Sequence, residues 1–406
     1  MKTTTRTALA AVVAAALLSA TAPAALAADR EHSGHGHGGH GDHQGLQAAL
    51  DQAVTGAGLP GVTAEVRDNG STWWGQSGTA DLSTGQKLRP QDRFRIGSTT
   101  KTFVATALLQ LEAEGRLSID DSVERWLPGV VDSNGYDGSA ITIRQLLNHT
   151  SGVANIAMSD VAQRDFQGEA FLQHRFDHFT PQELVELGIS VKPRFAPGTS
   201  WEYSDTNYVL AGMIIEQATG HSLAQEIADR FAKPLHLKST YEPASDDTGI
   251  RGPHGRFYSK LGTFNDPKLP VYDVTELSPS WGYGSGDMIS TVGDLGTFFQ
   301  ALLGGRLLPP AQMGEMFTMK DPSTGAGWIP NSHYGLGVAS VSLSCGEVWG
   351  MGGAINGSWS YTFGSRDGRH MMSTQVNGDW ANGEAWGPIS VFTKELEAEF
   401  CGEAKN

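Results

Sequence analysis

Ser98 and Lys101 stand three residues apart in the stretch Phe94-Arg95-Ile96-Gly97-Ser98-Thr99-Thr100-Lys101. An apolar segment ends at Gly97, and the residues from Ser98 to about Glu114 are compatible with a helix. Three residues make nearly one helical turn, so this spacing puts a hydroxyl and an amine on one face. Ser98 would also lie at a helix N-terminus, where free N–H groups and the macrodipole favour developing negative charge. A hydroxyl, a nearby base and an oxyanion-friendly terminus are the parts that acyl transfer requires. Of the eleven lysines, only Lys101 has a serine three residues before it. The same pair is also the pattern of a capping serine followed by a surface lysine, so its meaning depends on the rest of the chain.

The elements that must position the pair flank it on both sides. Leu46, Leu50, Ala53 and Val54 mark one face of a first helix. Runs at Val62–Arg67 and Thr72–Gln76, joined by Asp68-Asn69-Gly70, predict a β-hairpin. From about Leu117 to Pro279 the signals are mostly helical, including Ile143–Leu147, Pro181–Leu187, Tyr208–Ala218 and Leu223–Phe231. A helix at Val292–Leu303 follows, and strand patterns return at Gly337–Leu343, Glu347–Trp349, Ser358–Phe363 and Met371–Val376. A last helix runs near Ser390–Phe400. Strands at both ends around a helical middle predict one sheet built from both termini, with a helical lobe inserted between them.

Residues 1–28 read as a secretory signal. Lys2 and Arg6 precede an apolar core from Ala8 to Leu18, and Ala25-Leu26-Ala27 offers small residues for cleavage. That core is too short for a membrane span, so a secreted protein without a membrane anchor is expected. Residues 29–44 hold five of the thirteen histidines among glycines and read as a disordered tail. Its imidazoles could bind a transition metal loosely, but no fixed metal site is expected there. Cys345 and Cys401 are the only cysteines, and an even pair in an exported chain predicts one disulfide. Two separate buried thiols are the alternative. A formal charge of −15 excludes nucleic acid as a partner, since that requires a basic face.

Several stretches taken together resemble one family. They are the Ser98–Lys101 segment, Ile143-Arg144-Gln145-Leu146-Leu147-Asn148-His149-Thr150-Ser151-Gly152, and Pro197-Gly198 before Tyr203-Ser204-Asp205-Thr206-Asn207-Tyr208. Ile289-Ser290-Thr291 before Asp294-Leu295, Tyr334-Gly335-Leu336-Gly337 and the two cysteines complete the set. The chain resembles the serine penicillin-recognising hydrolases of the class C β-lactamase type, and among them the secreted soluble D-Ala-D-Ala carboxypeptidases. The resemblance implies a two-lobed α/β fold of the β-lactamase/transpeptidase kind, with an antiparallel sheet, flanking helices and an inserted helical lobe. The α/β lobe would comprise residues 45–117 and 285–402, and the helical lobe residues 118–284. It also implies a Cys345–Cys401 disulfide at matching positions.

The resemblance further implies that Ser98 is acylated, that Lys101 and Tyr203 exchange the proton, and that no cofactor takes part. The backbone N–H groups of Ser98 and Ala354 would form the oxyanion hole. The family's second motif, Tyr-x-Asn, is replaced here by Tyr203-Ser204-Asp205, and an ionised aspartate accepts hydrogen bonds but cannot donate them. Asp205 close to Lys101 would favour the ammonium and oppose a lysine base. Asn207 lies two residues too far along for a simple replacement. The third motif, His/Lys-Thr/Ser-Gly, corresponds to Met351-Gly352-Gly353, where only the glycine is kept; these residues and Asp205 are expected to line the substrate. His149-Thr150-Ser151 imitates that motif but belongs to the helical lobe and is read as structural. Ala339-Ser340-Val341 fill the segment where carboxypeptidase members place an arginine for the substrate carboxylate.

The expected activity is therefore that of a monomeric secreted serine hydrolase, D-alanyl-D-alanine carboxypeptidase-like, acting on peptidoglycan stem peptides and reacting with β-lactams or small esters. A class C-like esterase or D-amino-acid amidase is the alternative within the enzymes. A degenerate, non-catalytic member that binds cell-wall peptides is the alternative outside them.

Overall fold

The computed structural model describes residues 43–262, 268–322 and 329–402. The expected signal, and the His/Gly stretch as far as Asp42, lie outside the described residues. A first helix, α1 (Gln44–Thr55), buries Leu46, Leu50 and Ala53, the face that the sequence pattern marks. The hairpin follows as β1 (Gly61–Asp68) and β2 (Ser71–Gly78). Its turn holds Asn69 at φ +46° and Gly70 at φ +91°, a left-handed pair suited to a tight hairpin.

The remaining strands of the main sheet come from the far end of the chain: β3 (Ser332–Tyr334), β4 (Ala339–Leu343), β5 (Gly346–Ile355), β6 (Ser358–Gly364) and β7 (His370–Val376). The seven strands run in the order β2-β1-β7-β6-β5-β4-β3, and β1 pairs antiparallel with β7, so the two ends of the chain close one sheet. Successive strand residues face opposite sides, and each side carries helices. Ser373 faces Gly296 of a helix at Val292–Leu303, whereas Thr374 donates to Glu395 of a helix at Pro388–Leu396, 2.7 Å away.

Between the hairpin and the rest of the sheet, α2 (Thr100–Ala113) is buried almost all round. A helix apolar on every side belongs inside a protein. Phe103 stacks on Phe298 at 3.7 Å and meets Phe231 edge-on at 5.7 Å, which clamps the segment that follows Ser98. In the inserted region, α3 (Asp205–Thr219) packs against α2 and ends at Gly220, φ +76°. The insert is less helical than its sequence pattern implies. It carries a two-stranded pair, Tyr258–Ser259 with Tyr272–Asp273, and long loops between residues 233 and 288.

Cys345 and Cys401 form the disulfide, tying the turn between β4 and β5 to the end of the chain's last helical segment. The tail ends sooner than the histidine spacing implies. His43 stacks on Trp73 at 4.9 Å and meets Glu399 at 2.9 Å, and Gln44 already belongs to α1. No helix among the described residues is long and apolar enough to cross a membrane.

Candidate active site

The α-helix after the nucleophile begins at Thr100, and Ser98 sits in a short 3-10 turn, Gly97–Thr99, that leads into it. The sequence pattern starts the helix at Ser98 itself, two residues before the α-helix begins. The turn is forced by close packing. Gly97 has φ +52°, and a Cβ there would lie 2.5 Å from the Ala354 nitrogen. A Cβ on Gly353 would come within 1.9 Å of the Ile96 carbonyl oxygen and 2.8 Å of the Ser98 nitrogen. Two glycines thus let β5 run directly against the Ser98 turn, bringing Ala354 to the nucleophile.

Lys101 is fully buried, and its Nζ donates to Ser98 Oγ at 3.0 Å, Asp205 Oδ1 at 2.7 Å and the Ser285 carbonyl oxygen at 2.7 Å. Three acceptors match the three hydrogens of an ammonium. The Tyr203 and Tyr208 rings lie 4.8 and 5.6 Å from Nζ, adding cation–π contact. On the other side of the nucleophile, the Tyr203 hydroxyl donates to Ser98 Oγ at 2.7 Å. Burial, reinforced by the Asp205 charge, holds the Tyr203 phenol well above its ordinary value, so it rests protonated and acts as a donor. Asp205 occupies the first turn of α3, where the helix dipole favours a carboxylate. Its second oxygen, Oδ2, accepts from Asn155 Nδ2 at 3.2 Å.

Two small cavities lie at the Ala354–Asn356 end of β5. One, of about 250 Å³, is lined by Ala354, Ile355, Asn356, Phe166, Leu261 and Trp359 among others. A neighbour of about 190 Å³ shares Phe166 and Ile355 and adds Phe171, Leu277 and Trp281. Phe166 stacks on Trp281 at 4.3 Å, so an aromatic pair stands in walls that also carry Gln167 and Asn356.

A serine, a lysine and a tyrosine in mutual hydrogen-bond contact, on a helix–sheet scaffold, match one family in particular. The Beta-lactamase family model covers residues 46–383. The chain belongs to the beta-lactamase family. Among solved structures it is similar to a D-stereospecific amidohydrolase from Streptomyces sp., with 45% identity and a TM-score of 0.80 over 90% of this chain and 100% of that one. It is also similar to the D-amino acid amidase of Ochrobactrum anthropi SV3 complexed with L-phenylalanine amide, at 27% identity and a TM-score of 0.72, covering 89% of this chain and 99% of that one. Esterase EstB of Burkholderia gladioli is 34% identical over 209 residues, 48% of this chain and 50% of its own. Protein flp of Staphylococcus aureus (strain MW2) is 29% identical over 253 residues, 62% of this chain and 47% of its own. The chain spans about half the length of the curated relatives it matches.

Within this family of serine hydrolases, the structure brings Ser98, Lys101, Tyr203 and Asp205 into one bonded group and sets Ala354 beside it. Met351 departs from its expected place: it is 2% exposed and packed in the main core, because the side chains of β5 alternate and this one points inward. Gly352 stays half-buried on the strand. Asn207 does not replace the missing amide. Its Nδ2 pairs with His149 Nδ1 at 3.1 Å, and its Oδ1 accepts from Ser151 Oγ at 2.7 Å.

His149 Nδ1 also accepts from the Ser204 N–H at 3.2 Å, and its ring packs 4.4 Å from Tyr203. The His149-Thr150-Ser151 segment is thereby the support beneath the Tyr203–Asp205 turn. Burial, with the nearby Lys101 charge, holds the His149 imidazole well below its ordinary value and therefore neutral. Sequence reasoning missed Asn155 and Ser285. Asn155 lies three residues beyond Gly152, and only its neighbourhood to a recognised motif marks it. The Ser285 contact is made by a backbone carbonyl, which side-chain identity does not signal.

Proposed function

We propose that this serine hydrolase cleaves amides and esters of D-amino acids through an acyl-enzyme on Ser98. The observation that carries this choice over a stem-peptide carboxypeptidase is Asp205: a carboxylate 2.7 Å from Lys101, at the motif position where the resemblance leads one to expect a neutral amide. Such a site favours an acyl donor bearing a positive charge. It offers little to a substrate carboxylate, because Lys101, the cation bonded to Ser98, is already held by Asp205. Ala339, Ser340 and Val341 are buried in β4 and supply no other cation. The likeness to a D-stereospecific amidohydrolase over 90% of this chain supports the same reading, and the cavity lined by Ala354, Phe166, Leu261 and Trp359 offers apolar surface to an acyl side chain.

In acylation Lys101 acts as the neutral amine: the Ser98 hydroxyl proton passes to its Nζ, directly or through Tyr203, as Oγ bonds to the acyl carbon. The oxyanion that forms meets the N–H groups of Ser98 and Ala354. The acyl C–N or C–O bond then breaks, and the departing amine or alcohol takes the proton back through Tyr203. Water repeats the sequence in reverse to release the acid. Export is part of the proposal and rests on residues 1–28.

Hydrolysis of D- and L-phenylalanine amides and methyl esters by the purified protein, with intact-mass detection of the Ser98 adduct, tests this reading. D-selective turnover with a phenylalanyl adduct is expected. Faster turnover of the L-enantiomers, or efficient release of D-alanine from a stem pentapeptide with none from the amides, would sink it.

A further inference from the structure

Lys101 holds an arrangement that is poor for a base. Its three hydrogens are committed to Ser98 Oγ, Asp205 Oδ1 and the Ser285 carbonyl, so an ammonium is fully satisfied and has no lone pair to offer Ser98. Of those acceptors only Asp205 carries a charge. It is also partly open to solvent, with its side chain 29% exposed while that of Lys101 is fully buried. Asn155 steadies its other oxygen, and a carboxylate has about four lone-pair sites, so room remains for another donor.

We propose that Asp205 couples substrate recognition to activation of the base: the α-ammonium of the acyl donor binds this carboxylate, loosens its hold on Lys101, and so allows Nζ to shed its proton. This rests on the proposed function, whose substrates carry a free α-ammonium. The charge balances, since one cation beside Asp205 replaces another and a single proton leaves to solvent. Neutral Nζ then takes the Ser98 proton as the Oγ–carbon bond forms, and returns it to the departing group as the acyl bond breaks. Substrates without the ammonium meet a lysine that remains charged. Asp205 thereby selects for free-amine donors in the chemical step as well as in binding.

The test uses a pair that differs only in the amine: phenylalanine methyl ester, in whichever enantiomer the wild type accepts, and 3-phenylpropanoic acid methyl ester. In the wild type, kcat should favour the amino ester by at least about tenfold, the size of one charge-assisted hydrogen bond. Asp205→Asn should bring that ratio close to one, lowering kcat for the amino ester and raising it for the des-amino ester. A ratio that survives in Asp205→Asn overturns the proposal, as does discrimination confined to KM. The wild-type ratio needs no variant, and a value near one overturns the coupling by itself. The D/L comparison above is a separate measurement, so failure of the D-specific reading and failure of the coupling are distinguishable.

Discussion

Two aspartates share Lys101 and live in opposite states. Asp205 bonds the ammonium directly at 2.7 Å, stands at a helix N-terminus and is partly open to solvent. Asp287 lies on the turn whose Ser285 carbonyl takes another of the lysine's hydrogens, but it is 4% exposed and its Oδ1 has no hydrogen-bond partner. Burial pushes the Asp287 carboxyl up to about 7, with backbone N–H groups and the charges of Lys101 and Arg95 pulling the other way. Glu242 nearby is driven up as well, by burial first and then by Asp287 and Glu216. Contact with a cation and access to solvent set Asp205 apart; sealing without a direct cationic partner turns Asp287 into a proton holder. The same residue type is thus an open partner of the lysine in one place and a pH-dependent stability cost in the other.

That contrast has content only if Lys101 serves Ser98. Ser98→Ala should abolish the acyl adduct and lower kcat by on the order of 10⁴-fold or more; an adduct persisting on another serine would break the scheme. Tyr203→Phe removes the 2.7 Å bond to Ser98 and should lower kcat by roughly 10²–10⁴-fold, with the ring left to pack against His149. A loss below about threefold would assign the proton path to Lys101 alone.

Asp287→Asn probes the other aspartate. A carboxyl whose folded value lies above its unfolded one keeps its contribution to stability intact below about pH 4 and loses it as pH rises towards 7, at up to about 1.4 kcal/mol per pH unit. The wild-type Tm should therefore fall between pH 5 and 7.5, and fall less in Asp287→Asn, the remaining slope belonging to the other buried carboxyls that are driven up, Glu242 and Glu395 among them. Thermal melts across that range decide it. Equal slopes in the two proteins would mean that Asp287 ionises freely, and the contrast with Asp205 would vanish.

What the sequence made legible follows the same physical division. The hairpin, the terminal strands and the Ser98–Lys101 turn are local patterns, set by alternation, by Asn69-Gly70 and by close-packing glycines, and a single stretch of chain contains them. The Asp205–Lys101 contact was foreseeable because both belong to recognisable segments. Met351 was misplaced because strand parity relative to the core depends on the register of β5 against β6, which no local pattern encodes. Asp287 and Asn155 escaped notice because burial and partnership are tertiary properties. The docking of His43 depends on Glu399, more than three hundred residues away in the chain.

Glu399 extends the contrast with the smallest expected effect. It is a carboxylate with direct partners but no nucleophile, joined to His43 at 2.9 Å and to His370 at 2.8 Å with its side chain 5% exposed. Burial raises it, but the hydrogen bonds from the two imidazoles outweigh that and leave it below its ordinary value. If pairing alone decides whether a buried carboxylate stabilises the fold, removing one partner should cost stability and leave turnover untouched. His43→Ala is expected to lose about 1 kcal/mol, the worth of one hydrogen bond, with kcat unchanged. A carboxyl with a depressed folded value contributes above its unfolded value and loses that contribution as pH falls through the folded one. The Tm gap between wild type and His43→Ala should therefore narrow below about pH 4.5. Deleting residues 29–42 and keeping His43 should give the wild-type Tm and kcat, whereas extending the deletion through His43 should reproduce the alanine variant. A gap that is constant with pH would assign the stabilisation to the stack of His43 on Trp73 and leave Glu399 out of it.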